Sequence, residues 1–224
     1  LNKEELINLQ EFYKEDVADA KIQSKPILLT GYNRRFSPYA KRMQQLLKKR
    51  TAPFIMNYRM NAGFIPLDHW VHNQEGGGRN LGEACHIYDL FTFLADSKVI
   101  AISAHAVKPT TKHYARNDNF IATLSFADGS VTNLIYTALG HKGISKEKAE
   151  LYVDGKIAVL DDYKSINVHG AKNMSLQTRL QDKGLLIELE HFAKGIQTGE
   201  WPIPFWQQLQ VSEIAFEVEE MIFY

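Results

Sequence analysis

The sequence has one cysteine, no long apolar run and no excess of charge of either sign. The single cysteine, Cys85, excludes a disulfide framework. Lys and Arg total 26 and Asp and Glu total 26, so the overall charge does not favour nucleic acid as a partner. No apolar stretch approaches the roughly 20 residues of a membrane-spanning helix, and the start lacks a signal-peptide pattern. We therefore expect a soluble, cytoplasmic protein that binds neither nucleic acid nor membranes.

A nucleotide-binding glycine fingerprint is also missing, although the first residues have the pattern of a helix followed by a strand. Apolar side chains recur at helical spacing over residues 2–20, where Asn2 and Glu5 form a capping-box pattern. Residues 27–32 lack polar alternation, which is typical of a strand buried on both faces of a parallel sheet. Because the chain begins at Leu1, inside the helical pattern, we expect it to be a piece of a longer protein.

After Pro53 the pattern changes to short strands joined by tight turns. Asp128-Gly129 and Asp154-Gly155 have the composition of hairpin turns. Further helices are predicted over 37–49, 79–95, 182–198 and 207–223, and strands over 54–61, 99–107, 119–126, 130–137, 149–153, 156–160 and 164–169. These elements predict an α+β fold with an open, predominantly antiparallel mixed sheet and helices on one face.

The two faces of this sheet are predicted to differ. Phe120, Ala122, Leu124 and Phe126 share one face of their strand, whereas Ile121, Thr123 and Ser125 share the other. One face is therefore expected to be packed, and the other must be covered by solvent, by a ligand or by another subunit.

The segment GGGRNLGEACHIYD, residues 76–89, carries the strongest indication of chemistry. Three glycines let a backbone approach a ligand closely, and the helix predicted after them carries titratable groups. Glu83 lies one turn before His86, so a carboxylate can orient the imidazole or adjust its pKa. The alternative is that His86 is a hydrogen-bonded interior group and that Glu83 and Asp89 are solvated. The spacing matches no zinc-protease pattern, and we expect no metal.

Two other residues are candidate ligand contacts. Arg35 belongs to the cluster Asn33-Arg34-Arg35-Phe36, which directly follows the predicted first strand, where an arginine suits a phosphate or carboxylate; the alternative is a surface pair at the start of a helix. Trp70 precedes the glycine run and can form an apolar platform for a sugar or nicotinamide ring, or it can simply close the core.

Four motifs together carry a resemblance to a known family. GYNRRFSP, a strand ending in YRMNAG, the pair His69-Trp70 and GGGRNLGEACHIYDL occur in the order and at the spacing of the glucose-fructose oxidoreductase, inositol dehydrogenase and rhizopine-catabolism (Gfo/Idh/MocA) family of NAD(P)-dependent sugar dehydrogenases. The resemblance covers nearly the whole chain. It is closest to the branch fused behind a zinc-type alcohol dehydrogenase module.

The resemblance implies a domain organisation. Residues 1–32 would be the remnant of a doubly wound dinucleotide-binding domain, its last crossover helix and strand. Residues 33–224 would be the C-terminal domain for substrate binding and oligomerisation. Lys25 follows the crossover helix, whereas the family's catalytic Glu-Lys-Pro lysine precedes it, so Lys25 is not assigned that role.

The resemblance also implies a function, oxidation or reduction at a hydroxyl of a sugar, polyol or nucleotide-sugar. His86 would be the general acid/base and Glu83 its acidic partner, with Arg35, Trp70 and Arg79 as contacts to the substrate. The family's aspartate, four residues before the histidine, is replaced here by Gly82.

NAD or NADP is implied in the full-length protein, at residues that stay unassigned, and none is expected to bind this chain alone. A homo-oligomer formed through the open sheet face is implied as well. Two alternatives stay open. One is a non-catalytic module for oligomerisation or sugar binding, in which Gly82 marks a lost active site. The other is a lyase or glycosidase that uses a bound nicotinamide for transient oxidation.

Overall fold

A computed structural model describes residues 2–15 and 26–223. The helices are α1 (Lys3–Glu15), α2 (Pro38–Leu47), α3 (Cys85–Ala95), α4 (Leu185–Thr198) and α5 (Phe205–Phe223). The strands are β1 (Ile55–Asn61), β2 (Val99–Ala106), β3 (Asn119–Phe126), β4 (Val131–Thr137), β5 (Glu147–Val153), β6 (Lys156–Asp161), β7 (Ser165–His169) and β8 (Leu176–Gln177). Short 3-10 turns occupy Asn33–Phe36, Trp70–His72 and Arg116–Asp118, and a π-helical turn, Asn80–Ala84, leads into α3.

The eight strands form one sheet in the order β2-β3-β4-β1-β5-β6-β7-β8. β1 and β4 are parallel, and every other neighbouring pair is antiparallel. A parallel pair needs a long crossover connection, and here the residues between β1 and β4 include α3 and two further strands. The predicted open, mostly antiparallel mixed sheet of an α+β fold is confirmed.

Both predicted hairpin turns form where the sequence places them. Asp154 and Gly155 have φ of +47° and +71°, the left-handed pair that a two-residue turn between right-twisted strands requires. Gly129, with φ of +87°, closes the turn between β3 and β4. The sequence missed β8, which is only two residues long and too short to show alternation.

The strand predicted over residues 27–32 is wrong, because residues 26–32 pair with no strand of the sheet. A side chain of α5 takes the place of a neighbouring strand: the Gln208 amide donates to the Leu28 carbonyl at 3.0 Å and accepts from the Thr30 N–H at 2.8 Å. An apolar run becomes a strand only where another strand offers it a hydrogen-bonded edge, and the described residues place none beside it. The capping box of α1 is confirmed, whereas residues 16–20 of the predicted helix lie outside the described residues.

The two sheet faces differ as predicted. Phe120, Ala122, Leu124 and Phe126 are buried, whereas Ile121 on the other face is 48% exposed. The buried face packs against α3 and α5 and forms the main core. Within the described ranges, no helix combines the length and apolar character needed to cross a membrane. The end of this sheet where β1 stops and β5 begins positions the candidate site.

Candidate active site

The glycine run packs closely against the start of α3. A Cβ atom at Gly82 would lie 2.6 Å from the Gly76 carbonyl oxygen, and a Cβ at Gly76 would lie 2.4 Å from the Trp70 carbonyl oxygen. Backbone therefore packs on backbone at both positions. An aspartate at position 82, as in the family pattern, would collide with the Gly76 carbonyl unless the loop moved. The glycines thus allow a close approach of the chain to itself.

His86 lies in the first turn of α3 and is partly buried. Burial and the nearby Arg34 guanidinium lower its pKa to about 4, although the carboxylates of Glu147 and Glu83 oppose this shift. Its Nδ1 atom is buried and has no hydrogen-bond partner among the described residues. The ring of Tyr32 meets the imidazole edge-on at 5.9 Å. His86 is therefore neutral at pH 7, and its Nδ1 atom is enclosed by protein atoms without a hydrogen-bond partner among the described residues.

Glu83 does not hydrogen-bond to His86. Its carboxylate accepts from the hydroxyl of Tyr136 and lies 3.4 Å from Nη1 of Arg79. Glu83 belongs to the π-helical turn, whose wider i to i+5 winding changes the direction that α-helical spacing predicts for its side chain. The carboxylate is 30% exposed and acts on the imidazole through space, raising its pKa.

The predicted substrate contact Arg79 is fully buried among protein groups. Its guanidinium donates to the Gly63 carbonyl, lies 5.7 Å from the centre of the Tyr136 ring and approaches the Asp118 carboxylate at 3.6 Å. The same guanidinium contacts Glu83. Arg79 therefore holds the Glu83 carboxylate and the end of β1 in fixed positions, and its role toward a substrate stays a prediction.

Arg35 forms a buried ion pair with Asp89. Its Nε and Nη2 atoms donate to the two Asp89 carboxylate oxygens at 2.9 and 2.5 Å, and Nη1 donates to Gln207 at 2.7 Å. The alternative that Asp89 is solvated is wrong, since Asp89 has no exposed surface. Because its guanidinium donates to Asp89 of α3 and to Gln207 of α5, Arg35 joins these two helices. A substrate contact at this residue stays a prediction.

The structure reveals a buried charged cluster that the sequence analysis did not identify. Arg34 donates to the Glu147 carboxylate at 2.8 and 3.2 Å, and Nζ of Lys183 lies 2.6 Å from the same carboxylate. Tyr58 also donates to it, and the Tyr163 hydroxyl lies 3.3 Å from that of Tyr58. Burial alone would raise the pKa of Glu147, but Arg34 and then Lys183 lower it to about 2.

One signal for this cluster was present in the sequence. In β5, Glu147 occurs on the same face as Ala149 and Leu151, so a carboxylate stands at an inward position of an apolar strand face. Such a group requires buried partners. The partners come from segments more than 30 residues away on either side, and the sequence could not identify them.

A cavity of about 340 Å³ borders the glycine run, with Tyr32, Gly76, Gly82 and Cys85 in its wall. Burial raises the pKa of the Cys85 thiol to about 12, so this cysteine is an unreactive wall residue. Trp70 is 58% exposed and stands near His69, with ring centres 5.8 Å apart. No group of three or more metal-ligating side chains occurs among residues 2–15 and 26–223.

Residues 54–204 match a family model described as the oxidoreductase family, C-terminal alpha/beta domain, over well over half of the chain. The chain belongs to the Gfo/Idh/MocA oxidoreductase family. The resemblance carried by the four motifs is thus confirmed at the level of the family, while fusion to an alcohol dehydrogenase module stays a prediction. No curated protein sequence matches the chain.

Solved structures share this fold. A UDP-N-acetylglucosamine 3-dehydrogenase from Acidithiobacillus ferrooxidans has a TM-score of 0.75 at 18% identity over 99% of this chain and 67% of that chain. An NAD-binding oxidoreductase from Klebsiella pneumoniae has a TM-score of 0.76 at 13% identity over 99% and 69%. Levoglucosan dehydrogenase, in complex with NADH and levoglucosan, has a TM-score of 0.69 at 18% identity over 85% and 63%. The chain spans about two thirds of the length of these proteins.

Proposed function

We propose that the chain is the substrate domain of an NAD(P)-dependent oxidoreductase that acts on a hydroxyl group of a sugar, polyol or nucleotide-sugar. The observation that carries this proposal is His86, a neutral and only partly buried imidazole beside a cluster of fixed charges. A neutral imidazole accepts a proton from a hydroxyl that is being oxidised and returns it in the reverse reaction. Membership of an oxidoreductase family supports this class of reaction.

The charges around His86 suit the negative charge that develops on a substrate oxygen. Arg34 and Lys183 together carry two positive charges against the one negative charge of Glu147, and both cations lower the pKa of His86. The same excess positive charge lowers the pKa of a hydroxyl placed beside them, which favours loss of its proton. Glu83 is fixed by Tyr136 and Arg79 and partly exposed, so it is placed to accept a hydrogen bond from a second substrate hydroxyl.

The residues described do not fit a dinucleotide. In residues 2–15 and 26–223, no strand leads through a glycine-rich turn into a helix, and Gly76 packs against the backbone of Trp70 and Val71. We therefore propose that residues 1–32 are the end of a dinucleotide-binding domain and that NAD or NADP is bound there in the full-length protein. When bound, the nicotinamide would exchange a hydride with the substrate carbon.

The cofactor proposal predicts that this chain alone shows no measurable binding of NADH or NADPH. The physical reason is the missing phosphate-binding glycine turn. Isothermal titration calorimetry checks this, and micromolar affinity for either dinucleotide would contradict it.

Replacing the proposed proton acceptor tests the function itself. In the full-length protein, His86→Ala is expected to lower kcat at least about a hundredfold, because the substrate proton loses its acceptor. The control is His169→Ala, an exposed histidine at the end of β7. Turnover measured by NAD(P)H absorbance should be unchanged in the control.

Unchanged turnover in His86→Ala would favour a non-catalytic module, the alternative to which Gly82 points. In that case the fold would serve sugar binding or oligomerisation alone.

A further inference from the structure

A second cavity, of about 520 Å³, lies at the end of β1, between residues 61–64 and the loop of residues 140–146. We propose that this cavity, the loop cavity, binds the nucleoside diphosphate part of a nucleotide-sugar substrate. Its volume falls within the range of small-molecule sites. The proposal rests on the proposed function for the sugar end of the ligand, whereas nucleotide binding itself can be measured independently.

The loop that forms one wall is held in place before any ligand binds. The Asn61 side-chain amide donates to the carbonyls of His141 and Ile144 at 2.9 and 3.3 Å, and the Asn61 N–H donates to the Lys146 carbonyl at 2.7 Å. A Cβ atom at Gly140 would lie 1.8 Å from Oδ1 of Asn61, so only glycine permits this contact. A fixed loop avoids the entropy cost of ordering on binding.

The charge on this wall suits a diphosphate. Lys142 and Lys146 line the loop cavity, and neither forms an ion pair with any described residue. Among the residues that the structure describes, no carboxylate lines it. Nδ1 of His141 accepts the Gly143 N–H at 3.0 Å, so the neutral ring carries its proton on Nε2 as a further donor. Two ammonium groups and one imidazole N–H are the donors that phosphate oxygens bind.

The opposite wall offers an aromatic surface for a base. Phe64 lines the loop cavity and is 43% exposed. His113 stacks on it at 4.2 Å with an interplanar angle of 6°, and Tyr114 meets it edge-on at 5.7 Å. These contacts fix the ring while leaving part of it exposed. A nucleobase can stack on the exposed part of such a ring.

The loop cavity is close to the proposed reaction centre. Gly63 lines it, and the Gly63 carbonyl accepts from the Arg79 guanidinium that also contacts Glu83. The Arg79 side chain therefore links the wall of the loop cavity to Glu83, the carboxylate proposed to bind the sugar. A nucleotide-sugar with its diphosphate against Lys142 and Lys146 can extend its sugar past the end of β1 toward Glu83 and His86.

Calorimetry on the chain with UDP, ADP, GDP, uridine and inorganic pyrophosphate tests the proposal. We expect at least one nucleoside diphosphate to bind more tightly than pyrophosphate and uridine. The double variant Lys142→Ala/Lys146→Ala should weaken that binding at least tenfold, while Lys172→Ala, an exposed lysine of another loop, should leave it unchanged. Phe64→Ala should weaken nucleotide but not pyrophosphate binding. Circular dichroism confirms that each variant is folded.

Three calorimetric results would overturn the proposal: no nucleotide binding, nucleotide binding equal in the lysine double variant, or pyrophosphate binding as tight as nucleotide with no effect of Phe64→Ala. The last result identifies a simple anion site. Failure of the proposed function is separate, since His86→Ala should retain nucleotide binding. Full turnover of a nucleotide-sugar in the lysine double variant, with unchanged KM, would contradict the nucleotide subsite but not the oxidoreductase proposal.

Discussion

At the scale of single residues, the surroundings of His86 combine opposing influences. Burial and the cations Arg34 and Lys183 disfavour its protonation, whereas Glu147 and Glu83 favour it. The net effect is a pKa of about 4, below the ordinary value of 6.5. Each neighbouring charge therefore shifts the pKa of His86 in a known direction, and removing that charge should shift the pKa the opposite way.

We expect ring titration by NMR to follow those signs. Lys183→Met should raise the pKa of His86, because a nearby positive charge is removed, and Glu83→Gln should lower it further, because a negative charge is removed. Lys172→Met is the matched control and should not change it, because Lys172 is exposed and does not contribute to the pKa shift of His86. A pKa near 6.5 in the unmodified chain would show that the imidazole is solvated.

The same shift makes stability depend on pH. The unfolded histidine, with a pKa of 6.5, holds a proton over the range in which the folded residue, with a pKa of about 4, has released it. The unfolded state therefore binds more protons, and the free energy of unfolding increases as pH rises from about 4 to 6.5. His86→Gln should flatten the dependence in this window, as measured by urea unfolding at several pH values. An unchanged slope would argue against the depressed pKa.

At the scale of elements, the π-helical turn and the glycine run form one packed unit. The sequence predicted a single helix over 79–95, but its first turn, Asn80–Ala84, is wound more widely. Gly82 within that turn touches the Gly76 carbonyl. Helix periodicity cannot detect such a turn, because the close backbone contact that accompanies it comes from a different part of the loop.

Gly82→Ala is expected to lower the free energy of unfolding by about 1–3 kcal/mol, the usual cost of overpacking. The control is Gly31→Ala, since a Cβ at Gly31 has no heavy atom within 4 Å and the backbone is not left-handed there. Chemical denaturation measures both. A variant at Gly82 that is as stable as the control would indicate that the loop moves freely away from α3.

Elements with their own turn signals were predicted more accurately than elements without them. β3, over Asn119–Phe126, was predicted to the residue because its alternation and its Asp-Gly turn agree. The strand over 27–32 failed because an apolar run does not specify its hydrogen-bonding partner, which proved to be Gln208. Local pattern therefore determined the elements that carry their own turn signals.

At the scale of the whole molecule, the open sheet face carries exposed isoleucines. Ile121 and Ile135 are directly paired on β3 and β4 and are 48% and 40% exposed, and Ile55 on β1 is 57% exposed. Exposed apolar side chains grouped on one face are typical of a protein interface. This supports the proposal that the chain forms a homo-oligomer through the sheet.

We expect the double variant Ile121→Lys/Ile135→Lys to be monomeric, because two charges would be buried unpaired in the interface. Leu186→Lys, an exposed apolar position on α4 away from the sheet, should leave the assembly intact. Sedimentation equilibrium distinguishes the two results. A monomeric unmodified chain, or an unchanged mass for the sheet variant, would exclude this interface.

The sequence by itself determined the hairpins, the packed and open faces of the sheet and the candidate His86, since each depends on spacing within a short segment. Only the tertiary structure decided the partners of the charged residues. Arg35 pairs with Asp89, and both Arg34 and Lys183 pair with Glu147, across separations that no periodicity encodes. Buried charges must find opposite charges, and which charges meet depends on how the helices and the sheet pack.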